Sequence, residues 1–372
     1  MEQAHESEAV RSLGGNRSRL RTGSGMIQSN SHRTRYSVAQ RTSSDAWTHG
    51  QSLSGGWSHV YEQLDRGRFY GEFREAWLGP LQLVYESVSG PIKYDGRPWQ
   101  GSRLFFSYLS GEGGFYYDKR RVADNLLTTS KWDAVDRVTC SHAAKLVLIA
   151  VDEDYLNRFT IEAAGREFFR KNESHPTTYT ADPILVRRFQ TSVLDVLRSV
   201  QLNPTVLDIP AQRDAIRNNI LQDLLSIFVA RTDGDARLPA PCTRAYIVDK
   251  AIEFIDSRLS EPVTIADICT AVRVCPRTLC YSFEAVLGVT PSRYLLATRL
   301  NRVRRDILTH SGGVPLQILA ARWGLCHMGR FARYYRETFG ERPSDTMRTA
   351  ALRPSRRSIF RTLTQGLATA AG

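Results

Sequence analysis

The feature that most restricts what this chain can fold into is an internal repeat in its last third. Phe283-Glu-Ala-Val-Leu-Gly288-Val-Thr-Pro291-Ser292 matches Tyr335-Arg-Glu-Thr-Phe-Gly340-Glu-Arg-Pro343-Ser344 at an offset of 52, which Leu279 and Phe331 share. Upstream the offset is 51, pairing Cys269 with Ala320 and Val274 with Leu325, so the second copy holds one more residue in its turn. One supersecondary unit is used twice.

Each copy reads helix, tight turn, helix. In the first, Thr264 and Asp267 have the spacing of a capping box for a helix carrying Ile265, Ile268 and Val272. A turn at Arg273-Val274-Cys275 leads to Pro276 at the favoured first helical position, and an apolar stripe of Leu279, Phe283 and Leu287 stops at Gly288. The second copy runs from Pro315 through Ile318, Leu319 and Trp323 and turns at Gly324. Its second helix carries Phe331, Tyr335 and Phe339 before Gly340. This is the helix-turn-helix plan, whose second helix enters the major groove. Between the copies Thr290 caps and Pro291 starts a longer helix, SRYLLATRLNRVRRDILT, whose Tyr294, Leu295, Leu300, Val303 and Leu308 can join both halves.

Charge follows the same division. The chain of 372 residues carries a net charge of +12, and residues 241–372 hold 20 basic against 10 acidic groups while residues 56–240 hold 23 against 24. A polyanion such as DNA therefore faces the C-terminal third. The longest apolar stretch, Ala143 to Val151, includes Lys145 and is about half of a membrane span. The start MEQAHESEAV lacks a basic and an apolar segment of a secretory signal, and the six cysteines form no C-x-x-C pair. The expectations are a cytoplasmic chain with no membrane contact, reduced and mostly buried thiols, no metal and no cofactor.

Upstream, residues 1–55 are rich in Ser, Arg, Gly and Thr without apolar periodicity, which predicts a disordered tail. Residues 56–231 are predicted as a β-rich domain with trailing helices. EFREAW, LQLVYESV, IKY, RLFFSYL, GGFYYD, DRVTC and KLVLIAV read as strands of a sandwich or barrel. Its many aromatics either fill a core or partly line a small-molecule cavity. Leu185, Phe189, Val193, Val196 and Val200, and then Ile216, Ile220, Leu224 and Phe228, predict two amphipathic helices that either cover the sheet or meet a second subunit. Residues 232–242 read as a linker, 243–348 as the repeat domain and 349–372 as a C-terminal tail. The fold class is α+β: a β-rich domain with trailing helices, then an all-α domain of two tandem helix-turn-helix motifs on a linking helix. Residues 69–235 show no H-x-H, H-E-x-x-H, G-x-S-x-G or P-loop pattern, so the reading is not an enzyme.

With Leu279 and Phe283 inward, Arg277, Thr278, Cys280, Tyr281 and Ser282 stand around the outer side of the first recognition helix. Arg277 is the best base reader, since a guanidinium can bond guanine O6 and N7 together. On the second helix the outward set is His327, Met328, Arg330, Arg333 and Arg336. Arg299, Arg302, Arg304 and Arg305 give the linking helix a basic face suited to phosphate, with Arg299, Arg302 and Arg305 the candidate contacts.

Residues 243–348 resemble the DNA-binding domain of the AraC/XylS family of bacterial transcription regulators. The resemblance rests on TIADICTAVRVCPRTLCYSFEAVLGVTPSRYLLATRLNRVRRDIL and ARWGLCHMGRFARYYRETFGERPSDTM. Two residues depart from the family pattern: Arg273 stands where the first turn usually has Gly, and Arg342 where a small residue is common. The second copy is similar in detail to the subgroup of the ethanolamine-operon regulator, which makes ethanolamine one candidate effector. The resemblance implies a regulator, more often an activator, that binds double-stranded promoter DNA and contacts RNA polymerase. It also implies a small-molecule effector, so far unidentified, in the N-terminal domain. A homodimer remains open, as does control by a partner protein or an architectural role without an effector. Arg330 and Arg333 match the family's DNA-contact positions most directly.

Overall fold

The computed structural model describes residues 35–123, 126–169, 177–230, 242–309 and 314–352. The N-terminal part contains strands β1 (Tyr36–Ser43), β2 (Ser58–Gln63), β3 (Gly71–Leu78), β4 (Leu81–Val88), β5 (Ile92–Arg97) and β6 (Ser102–Gly111). These are followed by β7 (Phe115–Tyr117), β8 (Arg120–Arg121), β9 (Leu126–Lys131), β10 (Asp136–Cys140), β11 (Ala144–Asp152) and β12 (Thr177–Thr180). Helix α1 (Ala46–Ser52) precedes β2 and α2 (Glu153–Ala164) precedes β12, after which come α3 (Pro183–Leu202) and α4 (Pro210–Val229).

The strands form two antiparallel sheets. The larger has seven strands in the order β1-β3-β4-β11-β6-β9-β12, and the smaller has five in the order β2-β5-β10-β7-β8. Strand β11 explains the layering, because its apolar run supplies both faces. Val147, Ile149 and Val151 point to the helical side, while Ala144, Leu146, Leu148 and Ala150 point into the space between the sheets. A sheet covered on both faces needs such continuous apolar strands. Helices α3 and α4 cover the outer face with Phe189, Val193, Val200, Ile220, Leu224 and Phe228, as the sheet-covering reading expects.

The disordered-tail expectation is corrected within residues 35–55, while residues 1–34 lie outside the described residues. Tyr36–Ser43 pairs along the whole of β3, from Tyr36 opposite Leu78 to Ser43 opposite Gly71. Asp45 then caps α1 by accepting from Trp47 N and Thr48 N, each at 3.1 Å. Tertiary pairing to a strand edge compensates for weak local periodicity. The expectation of mostly buried thiols is also corrected: Cys140 and Cys269 are buried, Cys242 and Cys280 half-buried, and Cys275 and Cys326 exposed.

Of the linker 232–242 only residue 242 is described, and of the tail only residues 349–352, which continue a helix. Among the described residues the C-terminal part is all helical: α5 (Thr243–Ser257), α6 (Ile265–Val272), α7 (Pro276–Leu287), α8 (Pro291–Thr309), α9 (Leu316–Arg322), α10 (Met328–Phe339) and α11 (Pro343–Leu352). One core gathers α5, α6, α7 and the start of α8 around Leu279, Phe283 and Tyr294, and a second gathers the rest of α8 with α9, α10 and α11 around Phe331 and Tyr335. Among the described residues no helix is long and apolar enough to cross a membrane.

Candidate nucleic-acid interface

Local chemistry sets both motifs. The Thr264 hydroxyl accepts from Asp267 N while the Asp267 carboxylate accepts from Thr264 N, completing the capping box of α6. That helix ends at Arg273, which takes the left-handed conformation at φ 57°. Gly324 fills the corresponding role in the second turn at φ 72°. Thus a residue with a Cβ occupies a site where glycine is cheaper.

The structure sorts the expected readers of the first recognition helix, α7. Arg277, Thr278 and Tyr281 are exposed, and Cys280 is half-buried. Arg277 Nη2 lies 3.3 Å from Tyr281 Oη, and the guanidinium sits 5.4 Å from the ring centroid, so the two form one stacked pair. Thr278 Oγ1 meets Cys275 Sγ at 3.2 Å, a contact that pulls the Cys275 thiol below its ordinary pKa. Ser282 is corrected: it is buried, and its hydroxyl donates to Thr278 O at 2.8 Å. Three residues after Leu279, it falls on the same inward face.

On α10, Arg330, Arg333 and Arg336 are exposed. His327 is the exposed N-cap residue, yet its side chain makes no capping bond; its carbonyl accepts from Phe331 N at 2.9 Å. Met328 is corrected from outward to half-buried, packed on the core of the second motif. A groove of about 340 Å³ lies between α10 and α11, lined by Arg333, Arg336, Arg342, Leu316, Pro343 and Ser344. Arg342 is exposed and absent from the expected contact set. Three guanidinium groups beside a helix start suit a phosphate backbone. The available signal for Arg342 was its place directly before the helix-starting Pro343.

The linking helix departs further from expectation. Arg299 donates to the carbonyls of Leu259 at 3.1 Å and Glu261 at 2.5 Å, and Arg302 Nη2 faces Glu62 at 3.7 Å. Arg305 is half-buried, and burial followed by repulsion from Arg302 lowers its pKa. Arg304 is buried, with Nε 3.1 Å from Asp45 Oδ1 and Nη1 2.8 Å from Glu341 Oε1. Burial opposes its charge, but Tyr335, Asp45 and Glu341 outweigh it and raise the pKa above the ordinary value. The expected phosphate-facing stripe is therefore largely turned to protein: Glu62 and Asp45 of the N-terminal part form a seam with Arg302 and Arg304, while the carbonyls of Leu259 and Glu261 hold Arg299 within the helical part.

That seam holds the C-terminal ends of both recognition helices. Gly288, just past α7 at φ 68°, lies so close to Ser141 that a Cβ would come within 2.2 Å of its carbonyl oxygen. At α10, Gly67 N donates to Glu337 O at 3.0 Å and Gln63 Nε2 to Thr338 O at 2.9 Å. Leu64 is fully buried in the core of the first motif. Lys93 Nζ reaches Asp256 at 3.3 Å and Lys119 Nζ reaches Asp249 at 2.9 Å. The N-terminal halves of α7 and α10, the part of a recognition helix that meets bases, carry the exposed Arg277, Thr278, Tyr281, Arg330 and Arg333.

A second candidate site lies between the sheets. A narrow cleft of about 30 Å³, room for roughly two water molecules, is lined by Trp57, Phe73, Tyr94 and Phe106 together with His59, Tyr61, Glu86 and Asp136. Glu86 Oε1 accepts from Tyr61 Oη at 2.7 Å and lies 3.1 Å from His49 Nε2. Burial pulls the His59 pKa down to about 4 and pushes Asp136 up to about 7, the latter against donated bonds from Tyr117 and Ser130.

Fold and site together define the class: a protein with a β-rich N-terminal region of two sheets, followed in its last third by a tandem helix-turn-helix unit of the DNA-binding kind. Residues 268–349 match the helix-turn-helix domain family. A probable thc operon regulatory protein of Rhodococcus erythropolis is 35% identical over 130 residues, covering 34% of this chain and 39% of that protein. A XylDLEGF operon transcriptional activator of Pseudomonas putida is 33% identical over 101 residues, covering 27% and 32%. Among solved structures, an AraC-type transcriptional regulator from Chromobacterium violaceum is 27% identical over 29% of this chain and 96% of that one, with a TM-score of 0.27. The C-terminal domain is of the AraC/XylS type. The alignments cover less than half the length of either relative.

Proposed function

We propose that this protein is a sequence-specific regulator of transcription, acting as an activator, whose N-terminal sandwich binds a small-molecule effector. The observation that carries the reading is the division of each recognition helix: an exposed N-terminal half bearing Arg277 and Tyr281 or Arg330 and Arg333, and a C-terminal end gripped by the sandwich. Arg277, Arg330 and Arg333 read base edges, and Thr278, Tyr281, His327 and Arg336 contact backbone or thymine methyls. Two motifs on one linking helix address major-groove faces about 10 bp apart.

Relatives named as operon activators support the sign of regulation. The aromatic and carboxyl-lined cleft supports the sensing role, although a metabolite has to displace side chains to enter it. An effector favouring one arrangement of the seam shifts the population competent for promoter DNA and RNA polymerase in the cytoplasm. A homodimer on paired sites is compatible with this scheme. The test is selection of genomic fragments by the purified full chain, followed by sequencing. Enrichment of a few sites with two half-sites about one helical turn apart supports the reading. Flat, salt-sensitive enrichment with and without candidate effectors overturns it.

A further inference from the structure

We propose that α1 is a positioning element that carries the state of the sandwich interior to the second helix-turn-helix, through His49 and Gly50 at one end and Asp45 at the other. The proposal rests on the sensing role given to the sandwich and specifies its regulation.

The inner end of α1 is built into the cleft. His49 is fully buried and stacks on Phe73 at 4.0 Å with an interplanar angle of 2°. Its Nε2 meets Glu86, which also accepts from Tyr61, and His59 Nε2 bonds the carbonyl of Gly50. Phe73, Glu86, Tyr61 and His59 all line the cleft, so four lining side chains converge on α1, directly or through Glu86. An occupant that moves Glu86 or His59 moves the helix.

The outer end is built into the DNA-binding domain. The Asp45 carboxylate is fixed to α1 by the N–H groups of Trp47 and Thr48, so it turns with the helix. The bond from His49 N to Asp45 O, 3.0 Å, ties the two ends across a single turn. Asp45 Oδ1 accepts from Arg304 Nε. The same guanidinium donates to Tyr335 Oη at 3.1 Å, Glu341 Oε1 at 2.8 Å and Thr346 Oγ1 at 3.3 Å, and it stacks 4.6 Å from the Phe339 centroid. Tyr335 and Phe339 belong to α10 and Thr346 to α11. Arg304 is thus shared between α1 and the second recognition helix. The first motif meets the sandwich through other residues, among them Lys93, Lys119 and Ser141. The coupling is therefore directed to the second motif. A parallel route exists in β2, whose Gln63 bonds α10, and the test separates the two.

Hydrogen exchange by mass spectrometry on the full chain, without DNA, measures the coupling. Glu86→Gln and, independently, the gentler Tyr61→Phe are compared in wild-type and Asp45→Asn backgrounds, with melting curves to verify folding. Each cleft variant is expected to speed exchange within residues 328–352 by roughly three- to tenfold when Asp45 is present, and by less than about twofold when it is replaced, with residues 265–287 little changed. An equal response in both backgrounds assigns the coupling to β2 and overturns the role of α1. No response in residues 328–352 in either background overturns it as well. Failure to bind specific DNA overturns the regulator reading separately, since no DNA enters this measurement.

Discussion

Arg302 Nη2 lies 3.7 Å from Glu62 Oε1, an ion pair that joins the linking helix to the first domain. With Arg299 turned to the carbonyls of Leu259 and Glu261, two arginines of a basic helix are committed to protein. Arg342 instead lines an open groove with Arg333 and Arg336. Binding of cognate DNA measured against salt concentration is expected to keep its slope in Arg302→Ala. In Arg342→Ala the slope is expected to fall by about one, the signature of a lost phosphate contact.

Base reading is assigned to a smaller set. Arg330→Ala and Arg333→Ala are each expected to cost about 1–3 kcal/mol at the cognate site and to relax preference at one position of the second half-site. Arg277→Ala is expected to do the same in the first half-site. Titration of cognate and single-base-changed duplexes checks this. Equal losses on cognate and random DNA would reassign the side chain to phosphate.

The two turns differ in a way that stability can report. Arg273 holds φ 57° where Gly324 serves in the second copy. Arg273→Gly is expected to raise stability by roughly 0.5–1 kcal/mol, the left-handed penalty less the added freedom of the unfolded chain. Arg273→Val, β-branched at positive φ, is expected to lower it. Denaturant unfolding of the full chain gives both signs.

The repeat domain was legible because its signals are local. The capping box at Thr264, the helix-starting Pro276, and the left-handed Gly288 and Gly340 each act within a few residues. The outward or inward facing of Leu279, Phe331 and Tyr335 followed from spacing alone. Ser282 and Met328 were misplaced because a polar or flexible residue beside an apolar stripe can turn either way, and packing decides. The seam was not legible at all: Asp45 and Arg304 are 259 positions apart, and nothing near either one names the other. The same holds for β1, which is a strand because β3 offers it an edge.

That edge strand leads to an expectation opposite to the one its composition suggests. Deleting residues 1–52 removes β1 and α1, leaves the β3 edge unpaired, and strips His49 from Glu86 and Phe73 and Asp45 from Arg304. Buried Glu86 then loses a partner, a loss that costs about 1–3 kcal/mol by itself. The deletion is expected to lower the melting temperature by many degrees, and an unchanged value would show β1 and α1 to be dispensable.

The interior of the sandwich carries a pH signature of its own. Burial pushes Asp136 up to about 7 in the folded protein, well above its unfolded value of about 4. A raised folded pKa favours the protonated form, so the folded state is free of this penalty below pH about 4 and acquires it as pH rises through 7. His59 has the opposite sense: its folded pKa of about 4 lies below the unfolded one, and stability falls as pH drops from about 6.5. Asp136→Asn isolates the first effect, because the amide never ionises and keeps an acceptor for Tyr117. The variant's stability relative to wild type is expected to rise by about 2–3 kcal/mol between pH 5 and pH 8. Urea melts at the two pH values measure this difference, and a difference that shrinks with rising pH would place the ionised carboxylate in a far more polar setting than the cleft provides.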